Sequence, residues 1–517
     1  MSTTVFDCVV IGGGINGCGI ARDAAGRGLS VLLAEKGDLG GGTSSAATKL
    51  IHGGLRYLEY YEFRLVRESL QEREVLLAMA PHIVSPLRFV LPHHRDLRPA
   101  WLIRLGLFLY DHLGKRKRLP PSSFIHLDQD EAGRPLKPGF TRAFEYSDCR
   151  VDDARLVVLN ALDAAERGAE IHVRTFVRSA TRQGELWRIV LENTLTGERR
   201  NISARSLINA SGPWISEVIT NQMGLQSRYH TRLVKGSHIV VPRLFDHSRA
   251  YIFQNADNRI VFAIPYEDAF TLIGTTDVEF QGSPDTVAIT PDEVAYLCAV
   301  ANEYFSRPIR PEDVAWAFSG VRPLHDEEGT SAQAATRDYV LELKNGANEP
   351  PLLNVFGGKI TTYRCLAEEA LKKLQRILQE ATGKKMGPPW TRRSLLPGGD
   401  IGTAGLEGLA ARLVAQTPAL PAATAQRWVR HYGTRALNIA GSGGALGRHF
   451  GAGLYQCEVE YLVQVEWART VEDILWRRTK QGLRMTKAEA QRLDEWLHAH
   501  LSALTPSAAA RTTHSGE

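Results

Sequence analysis

Short apolar runs, a glycine cluster and a helical pattern alternate over the first 35 residues. The run Val5–Ile11 is almost entirely apolar and β-branched, which predicts a strand buried on both faces. The glycine-rich segment Gly12–Gly17 follows at once, and a helical pattern covers Ile20–Arg27. A second apolar run, Leu29–Ala34, ends in Glu35. This order predicts a β-α-β unit.

Apolar periodicity predicts several elements further along the chain. A long amphipathic helix is expected over Tyr60–Ala80 and a strongly apolar one over Ala100–Leu113. Alternation over Val173–Ile208 predicts a hairpin-rich insertion, and Thr290 is the expected N-cap of a helix over Pro291–Phe305. Other predicted elements are strands at Leu233–Pro242, Tyr251–Pro265 and Phe270–Thr276, and a strand, glycine turn and helix over Leu352–Leu374.

Length and composition predict more than one domain. A chain of 517 residues is too long for one compact core. Segment 383–399 is rich in Pro and Gly and predicts a boundary, after which the pattern is mainly helical to about residue 504. The small, polar tail 505–517 is expected to be disordered.

Charge and cysteine content limit the partners, metal sites and compartment that we expect for this protein. The net charge of +5 is small for this length, so nucleic acid is not an expected partner. The six cysteines are scattered without a C-x-x-C pair, which predicts no metal site and suits a reducing compartment. No signal-peptide pattern and no uncharged apolar run of about 18 residues is present, so we expect neither a leader nor a transmembrane helix.

The glycine cluster Gly12–Gly17 matches G-x-G-x-x-G. In such a motif Gly12 makes the tight turn, Gly14 lets the backbone approach a pyrophosphate, and Gly17 allows close helix–strand packing. The helix that follows presents N–H groups and partial positive charge to the anion. Glu35, about 20 residues later, is placed to accept from a ribose 2′-hydroxyl. The pattern predicts a dinucleotide site.

Three further glycine-bearing strand ends favour a flavin over a nicotinamide. They lie at Thr43–Leu55, Ala210–Trp214 and Phe356–Thr362, far apart along the chain. A flavin dinucleotide is long and needs contacts beyond its ADP half, whereas a plain NAD domain would not use a turn near residue 357. The alternative is that each of these segments is an ordinary turn.

Longer strings carry a family resemblance over nearly the whole chain. The strings are Val10–Gly17, Lys49–Leu58, Lys235–His238, Ile273–Asp277, Ser319–Leu324, Phe356–Arg364, Glu460–Leu462 and Trp476–Lys480. The chain closely resembles the FAD-dependent, quinone-linked glycerol-3-phosphate dehydrogenases of bacteria. Ala47-Thr48 and Ser211 depart slightly from the family pattern but mostly keep size and hydroxyl groups.

The resemblance implies an α/β fold like that of glutathione reductase and D-amino-acid oxidase. A discontinuous Rossmann-type FAD domain would carry an inserted antiparallel-sheet substrate domain, both within residues 1–390. The FAD part would be mainly 1–80, 150–232 and 318–380, and the substrate part mainly 81–149 and 233–317. Residues 391–504 would form a helical cap.

The glycine turns and the resemblance together predict the site. Expected cofactor-binding residues are Gly12, Gly14, Gly17, Glu35, Thr43, Ser44, Ser45, Lys49, His52, Gly53, Gly54, Ala210, Gly212, Gly357, Gly358, Lys359 and Thr361. A phosphate dianion favours several cationic donors, arginine above all. Expected substrate-binding residues are Arg56, Tyr57, Arg337 and Lys359, although Arg337 lies just beyond a family string and solvated surface charge is the alternative.

Two histidines compete as proton acceptor for the substrate hydroxyl. His238, on a predicted strand, is favoured, with Arg322 orienting the hydroxyl and stabilising developing alkoxide charge. His52 is kept as a catalytic candidate but fits a flavin contact better. Each histidine could instead be a satisfied core residue.

The segment Ala100–Leu113 and the basic cluster 115–118 fit a helix resting on an anionic membrane. The alternative is a buried helix with a basic exit loop.

The resemblance implies oxidation of sn-glycerol 3-phosphate, with ubiquinone or menaquinone as electron acceptor, at the cytoplasmic face of the inner membrane. The chain is also expected to form a homodimer. Competing hypotheses are an oxidase that uses oxygen and a flavin-binding protein without turnover.

Overall fold

The computed structural model describes residues 4–94, 97–114, 116–227, 229, 231–255, 257, 259–325, 338–440 and 444–504. The chain divides into two compact units, Met1–Gly399 and Asp400–Glu517. Arg337, Lys115 and the tail 505–517, all named by the sequence predictions, lie outside the described residues.

Strands supply two large sheets and one small hairpin. They are β1 (Val5–Ile11), β2 (Val31–Ala34), β3 (Leu50–Ile51), β4 (Val84–His93), β5 (Ser123–His126), β6 (Arg142–Val151), β7 (Glu170–His172), β8 (Thr175–Gln183), β9 (Leu186–Asn193), β10 (Arg199–Asn209), β11 (Thr231–Pro242), β12 (Ala250–Gln254), β13 (Ile260–Tyr266), β14 (Phe270–Gly274), β15 (Val278–Glu279), β16 (Trp316–His325), β17 (Tyr339–Lys344), β18 (Leu352–Gly357), β19 (His449–Gly451) and β20 (Leu454–Tyr455).

Helices cover the sheets and build the second unit. They are α1 (Ile15–Gly26), α2 (Phe63–Met79), α3 (Ala100–Leu113), α4 (Asp153–Glu166), α5 (Ile215–Glu217), α6 (Pro291–Tyr304), α7 (Tyr363–Thr382), α8 (Gly405–Gln416), α9 (Ala422–Tyr432), α10 (Gln456–Gln464) and α11 (Lys487–Leu504). Within the described residues, none of the helices combines the length and apolar content that spanning a bilayer requires.

Most sequence-predicted elements are confirmed, with two instructive differences. Helix α1 begins at Ile15, five residues before the predicted start, because it follows the glycine turn directly. The predicted strand Tyr251–Pro265 is two strands, β12 and β13, which pair as a hairpin. The predicted N-cap is confirmed, since the Thr290 hydroxyl accepts from the backbone N–H of Glu293 at 3.3 Å and Glu293 closes a capping box.

The first sheet has the order β17-β18-β10-β1-β2-β7. Strands β18, β10, β1, β2 and β7 are parallel, whereas β17 runs antiparallel to β18. Helix α1 packs against α4 and α7. On the other face, Val9 and Ile11 of β1 share a core with Trp187 and Ile189 of the antiparallel β8–β9 hairpin. The central strands are therefore buried on both faces, as their apolar sequences require.

The second sheet is mainly antiparallel and has the order β15-β11-β14-β13-β12-β4-β6-β3, with β16 paired to β11 and β5 to β6. Helix α6 packs against one of its faces, where Leu297 and Ala301 share a core with Ile239 and Val241 of β11. Because side chains alternate along a strand, the neighbouring His238 belongs to the opposite face.

The second unit combines α8–α11 with the β19–β20 hairpin around an apolar core that includes Trp428. A buried ion pair lies within this unit. Both guanidinium ends of Arg427 donate to the Glu458 carboxylate at 2.6 Å, and the Tyr432 hydroxyl adds a third bond at 2.7 Å. Glu458 is fully buried. Its charge is tolerated because these donors replace water.

Replacing Arg427 by Met should destabilise the second unit. The substitution leaves Glu458 charged and buried without its main partner, a loss of about 3–5 kcal/mol in the free energy of unfolding. Calorimetry of the full chain should show a lowered transition. Arg412→Met, an exposed position on α8, should change stability by less than about 0.5 kcal/mol. Equal melting temperatures for the two variants would contradict this role.

Candidate functional site

Turns that are far apart in sequence meet at one edge of the first sheet. Gly12 follows β1, Glu35 follows β2, Ala210 follows β10, and Gly357 ends β18. These strands are parallel neighbours, so their carboxyl ends lie side by side. Backbone bonds join the turns, from Gly12 N to Ala34 O and from Ala210 N to Ile11 O, both at 2.9 Å. In open α/β sheets this edge is where ligands bind.

Two glycines of the first turn are required by backbone crowding. Gly12 has φ +109°, and a Cβ there would lie 2.6 Å from the carbonyl oxygen of Ala210. A Cβ on Gly17 would lie 1.9 Å from the carbonyl oxygen of Gly12. Helix α1 can therefore start directly beneath the turn only if both positions lack a side chain. The predicted roles in turn geometry and in helix–strand packing match these contacts.

Gly14 is different, because a Cβ there would meet only the Ser44 hydroxyl, at 3.2 Å. Gly14 is the N-cap of α1, and the first turn of the helix contains no acidic residue. The backbone N–H of Ile15 donates to Ser44 Oγ at 3.0 Å. The space in front of Gly14 thus faces helix N–H groups and a hydroxyl, which suits a pyrophosphate.

Glu35 ties the first turn to the end of β2. Its carboxylate accepts from the backbone N–H of Gly13 at 2.6 Å and of Gly37 at 2.7 Å. Burial raises the pKa of Glu35, and the two N–H donors oppose that rise. Each oxygen accepts one backbone N–H and keeps a further lone pair, so a ribose hydroxyl could also donate to the carboxylate. Glu35 therefore shapes the turn as well as being the predicted ribose contact.

Asn16 connects the first turn to the last one, a link that the sequence analysis missed. Its Nδ2 donates to the Gly357 carbonyl at 3.1 Å. A Cβ on Gly358, whose φ is +99°, would approach the same amide at 3.0 Å. The Asn16 Oδ1 atom is buried and has no hydrogen-bond partner in the structure. The position of Asn16 inside the glycine motif was the available signal.

The loop after residue 42 crosses from the first sheet to the second. Thr43 Oγ1 donates to the Val321 carbonyl of β16 at 2.5 Å. Lys49 donates to the Ser45 carbonyl at 2.9 Å and to both oxygens of Asp153 at 2.8 Å. Its ammonium is buried in that ion pair. Lys49 therefore positions the loop, and its predicted contact with a cofactor stays a prediction.

The His52–Gly54 turn is fixed from two sides. The backbone N–H of His52 donates to Thr361 Oγ1 at 3.3 Å, just after the Gly357-Gly358 turn. The backbone N–H of Gly53 donates to the Tyr110 hydroxyl at 2.8 Å, and Tyr110 donates to buried Asp148 at 2.8 Å. Helix α3, which contains Tyr110, is thereby linked to the predicted flavin loop.

Cationic side chains flank these turns. The Lys359 ammonium lies 3.9 Å from the centroid of the Tyr57 ring. Arg56, half-buried in the same short helical turn as Tyr57, donates to the Tyr60 hydroxyl at 3.5 Å. Lys359 and Tyr57 are thus brought together as predicted substrate-binding residues. The structure does not test their role, and Arg337 is outside its described residues.

His238 is held tightly on the second sheet. Its Nε2 lies 3.0 Å from Thr48 Oγ1, and its ring stacks on Phe318 with centroids 4.9 Å apart. The Nδ1 atom is buried without a hydrogen-bond partner in the structure. Burial, and then the charges of Lys49 and Arg322, hold the pKa of His238 well below its usual value. The ring is therefore neutral at pH 7 and able to accept a proton.

Arg322 lies on β16, beside the strand that carries His238. Its Nη2 donates to Asp277 Oδ1 at 2.5 Å and to the Thr276 carbonyl at 3.2 Å. A Cβ on Gly236 would lie 2.7 Å from this nitrogen, so the missing side chain makes room for the guanidinium. Three of the strings that carry the resemblance thus meet around one arginine.

The residues at the first edge fit FAD. The open space at Gly14 and the start of α1, whose first turn contains no acidic side chain, suit an anion. Gly212 and the Gly357-Gly358 turn extend the same edge on neighbouring strands. These groups would hold the ADP half, and the loop 43–54 would border the flavin.

Gly14→Ala should fold normally but bind FAD more weakly. The new Cβ meets no backbone atom yet fills the space that the pyrophosphate needs, so we expect a loss of affinity of about 10- to 100-fold, the size of a charge-assisted hydrogen bond. Fluorescence titration of the apoprotein with FAD measures it. Gly106→Ala on α3, where a Cβ meets nothing within 4 Å, is the matched control. Equal dissociation constants would exclude the anion site at Gly14.

Comparisons with known proteins agree with this geometry. The profile of the family described as FAD dependent oxidoreductase matches residues 7–364, and that of the C-terminal domain of alpha-glycerophosphate oxidase matches 390–504. A glycerol-3-phosphate dehydrogenase of Pseudomonas aeruginosa is 54% identical over 96% of this chain and 95% of the relative. A D-erythritol 1-phosphate dehydrogenase of Brucella abortus is 52% identical over 95% of this chain and 97% of that protein.

A solved structure shows the same fold with the cofactor bound. The glycerol-3-phosphate dehydrogenase of Bacillus halodurans, complexed with FAD, superposes with a TM-score of 0.74 at 26% identity, covering 97% of this chain and 95% of that one. The predicted α/β fold with a helical carboxyl-terminal unit and the predicted FAD cofactor are confirmed. The chain belongs to the FAD-dependent glycerol-3-phosphate dehydrogenase family.

Proposed function

We propose that the protein oxidises sn-glycerol 3-phosphate to dihydroxyacetone phosphate and passes the electrons to a membrane quinone. The observation that carries the proposal is the placement of His238 and Arg322. They lie on the paired strands β11 and β16, and the loop 43–49 connects them to the FAD edge through Thr43 and Thr48. This placement supports His238 as the proton acceptor and Arg322 as the cation that acts beside the cofactor.

Bound FAD supplies the acceptor for the hydride that leaves the substrate C2 carbon. The protein supplies charge and orientation. Lys359 and Arg56 would bind the phosphate dianion, because both are cationic and both border the glycine turns. Arg337, which the sequence analysis also predicted for this set, lies outside the described residues.

His238 would take the proton of the C2 hydroxyl. Burial, and then the positive charges of Lys49 and Arg322, depress the pKa of His238 and make it a weak base. A substrate dianion offsets that charge and raises the pKa of the histidine toward neutrality. Arg322 would stabilise the negative charge that develops on the C2 oxygen. Arg322 thus lowers the pKa of His238 before substrate binds, and it stabilises the negative charge of the transition state afterwards.

Glycerol 3-phosphate should bleach the bound flavin in the absence of air. Absorbance near 450 nm is followed after anaerobic mixing with glycerol 3-phosphate, D-erythritol 1-phosphate and glycerol. We expect rapid loss of the yellow colour with glycerol 3-phosphate and none with glycerol, which lacks the phosphate. D-erythritol 1-phosphate is the compound in the name of the Brucella relative. Faster bleaching by this ester than by glycerol 3-phosphate would make it the preferred substrate and contradict the proposed one. A spectrum unchanged by all three compounds would contradict turnover altogether.

Oxygen is the alternative electron acceptor, since the matching carboxyl-terminal profile is named after an oxidase. An oxygen electrode separates the two activities. A quinone-linked dehydrogenase consumes little oxygen with substrate alone and reduces a soluble quinone analogue rapidly. Stoichiometric peroxide formation at the same rate without quinone would make the protein an oxidase.

Helix α3 supports association with the membrane surface. Trp101, Leu105 and Phe108 follow one another at helical spacing and are 69%, 46% and 54% exposed, whereas Leu107 and Tyr110 of the same helix are buried. Exposed Lys117 and Arg118 follow the helix. An exposed apolar stripe next to basic residues is typical of helices that lie on anionic bilayers. We therefore propose peripheral binding to the cytoplasmic membrane; the homodimer stays a prediction.

Replacing Trp101 and Phe108 by Ser should release the protein from anionic vesicles. Both side chains are exposed, so the substitutions remove membrane contacts and leave the core intact. Sedimentation with vesicles containing phosphatidylglycerol measures binding. Leu195→Ser, at a position 62% exposed on a β-turn elsewhere, is the control and should bind as the native protein does. Unchanged sedimentation of the double variant would favour a role for α3 other than membrane contact.

A further inference from the structure

The face of the second sheet opposite His238 carries a buried ionic cluster. Side-chain alternation places Lys235 and Ser237 of β11 on that face, together with Ser319, which pairs with Ser237 across the strands. All three contact helix α6 or one another, and the two serine hydroxyls lie 2.8 Å apart. Glu293, in the first turn of α6, is at the centre.

Both carboxylate oxygens of Glu293 are fully engaged. Oε1 accepts from Ser237 Oγ at 2.9 Å and from Thr276 Oγ1 at 2.8 Å. Oε2 accepts from the Lys235 ammonium at 2.8 Å and from the Thr290 backbone N–H at 2.9 Å. Burial opposes ionisation, but Lys235 and the hydrogen-bond donors outweigh it and hold the pKa of Glu293 below its usual value. The carboxylate is therefore charged and fixed.

Thr276 connects the Glu293 cluster to Arg322 on the other face of the sheet. Its hydroxyl donates to Glu293 and accepts from the backbone N–H of Ser237 at 2.9 Å. Its carbonyl accepts from Arg322 Nη2 at 3.2 Å, and the next residue, Asp277, forms the ion pair with the same nitrogen. Thr276 is almost fully buried. Residues 276–277, which bind the Arg322 guanidinium, are therefore themselves bound to Glu293.

We propose that Glu293 and Lys235 are positioning residues, which hold Thr276 and thereby fix the Arg322 guanidinium for oxidation of the phosphorylated alcohol. The inference rests on the proposed function, which gives Arg322 its part in the reaction. It explains why Lys235, Ser237 and Thr276 occur within the strings around His238 and Arg322 although they do not face the site.

Two variants test the link directly. Thr276→Val keeps the shape of the side chain but removes its hydroxyl, and Thr276→Ser restores the hydroxyl. Because Arg322 acts on charge that develops in the transition state, Thr276→Val should slow anaerobic flavin reduction at saturating substrate about tenfold or more, with KM changed less than about twofold. Thr276→Ser should reduce its flavin at close to the native rate. Glu293→Gln, which cannot satisfy the donors on both sides, should resemble Thr276→Val.

Helix stability is separated from positioning by Thr290→Ala. This variant weakens the cap of α6 but leaves the Glu293–Thr276 bond in place, so its melting temperature should fall by a few degrees while flavin reduction stays native. If Glu293→Gln and Thr290→Ala behave alike in both measurements, Glu293 is only a helix cap and the proposal is wrong.

A double-mutant cycle shows whether the effect passes through Arg322. In an Arg322→Ala background, Thr276→Val should slow flavin reduction by less than about twofold, because the group that it positions is gone. A full tenfold effect in that background would overturn the proposal.

Crystal structures give a readout independent of the substrate. The guanidinium should move away from the Thr276 carbonyl in Thr276→Val and Glu293→Gln and stay in Thr290→Ala. If native protein is not reduced by glycerol 3-phosphate but the guanidinium moves as expected, the proposed function fails while the positioning role stands.

Discussion

Parallel pairing of β1 with β2 and β10, and of β10 with β18, is the constraint on which the cofactor site depends. It places turns separated by more than 300 residues along one sheet edge. The crowding of Gly12 and Gly17 follows from this pairing, because the first turn must fit between α1 and the end of β10. Asn16 and Glu35 then fasten the edge from within the protein, by hydrogen bonds to Gly357 and to Gly13. These contacts within the protein therefore hold the turns of the FAD edge together.

The second sheet carries different groups on its two faces, because side chains alternate along its strands. His238 and Arg322 lie on the face next to loop 43–49, and the proposed function makes them the proton acceptor and the cation that act on the substrate hydroxyl. The reverse face holds Lys235 and Glu293 in a buried, fully hydrogen-bonded cluster. A lone buried charge would be costly, and pairing it makes a rigid anchor instead. In the proposed reaction this rigidity would keep Arg322 in place, since misplacing a group that stabilises transition-state charge lowers the rate.

Local signals in the sequence predicted the β1 strand, the glycine turn, Glu35 at the end of β2 and Thr290 as the N-cap of α6, because each depends on neighbours within one element or turn. The strings around His238, Arg322 and Lys359 were found through family resemblance, and the structure shows which elements carry them. Contacts such as Thr48–His238, Asn16–Gly357 and Glu293–Thr276 could not be predicted, since strand register and helix packing decide them. The ion pair of Lys49 with Asp153, over 100 residues away, is a further contact of this kind, and the predicted cofactor contact of Lys49 stays a prediction.

A crystal structure of the protein grown with FAD and glycerol 3-phosphate tests the central claim most directly. We expect the pyrophosphate within hydrogen-bond distance of the backbone N–H groups that follow Gly14, beside Ser44. We also expect the flavin ring between loop 43–54 and the strands that carry His238 and Arg322, with the substrate C2 hydroxyl next to these two side chains. A pyrophosphate bound away from the α1 amino terminus, or a substrate remote from Arg322, would contradict that claim.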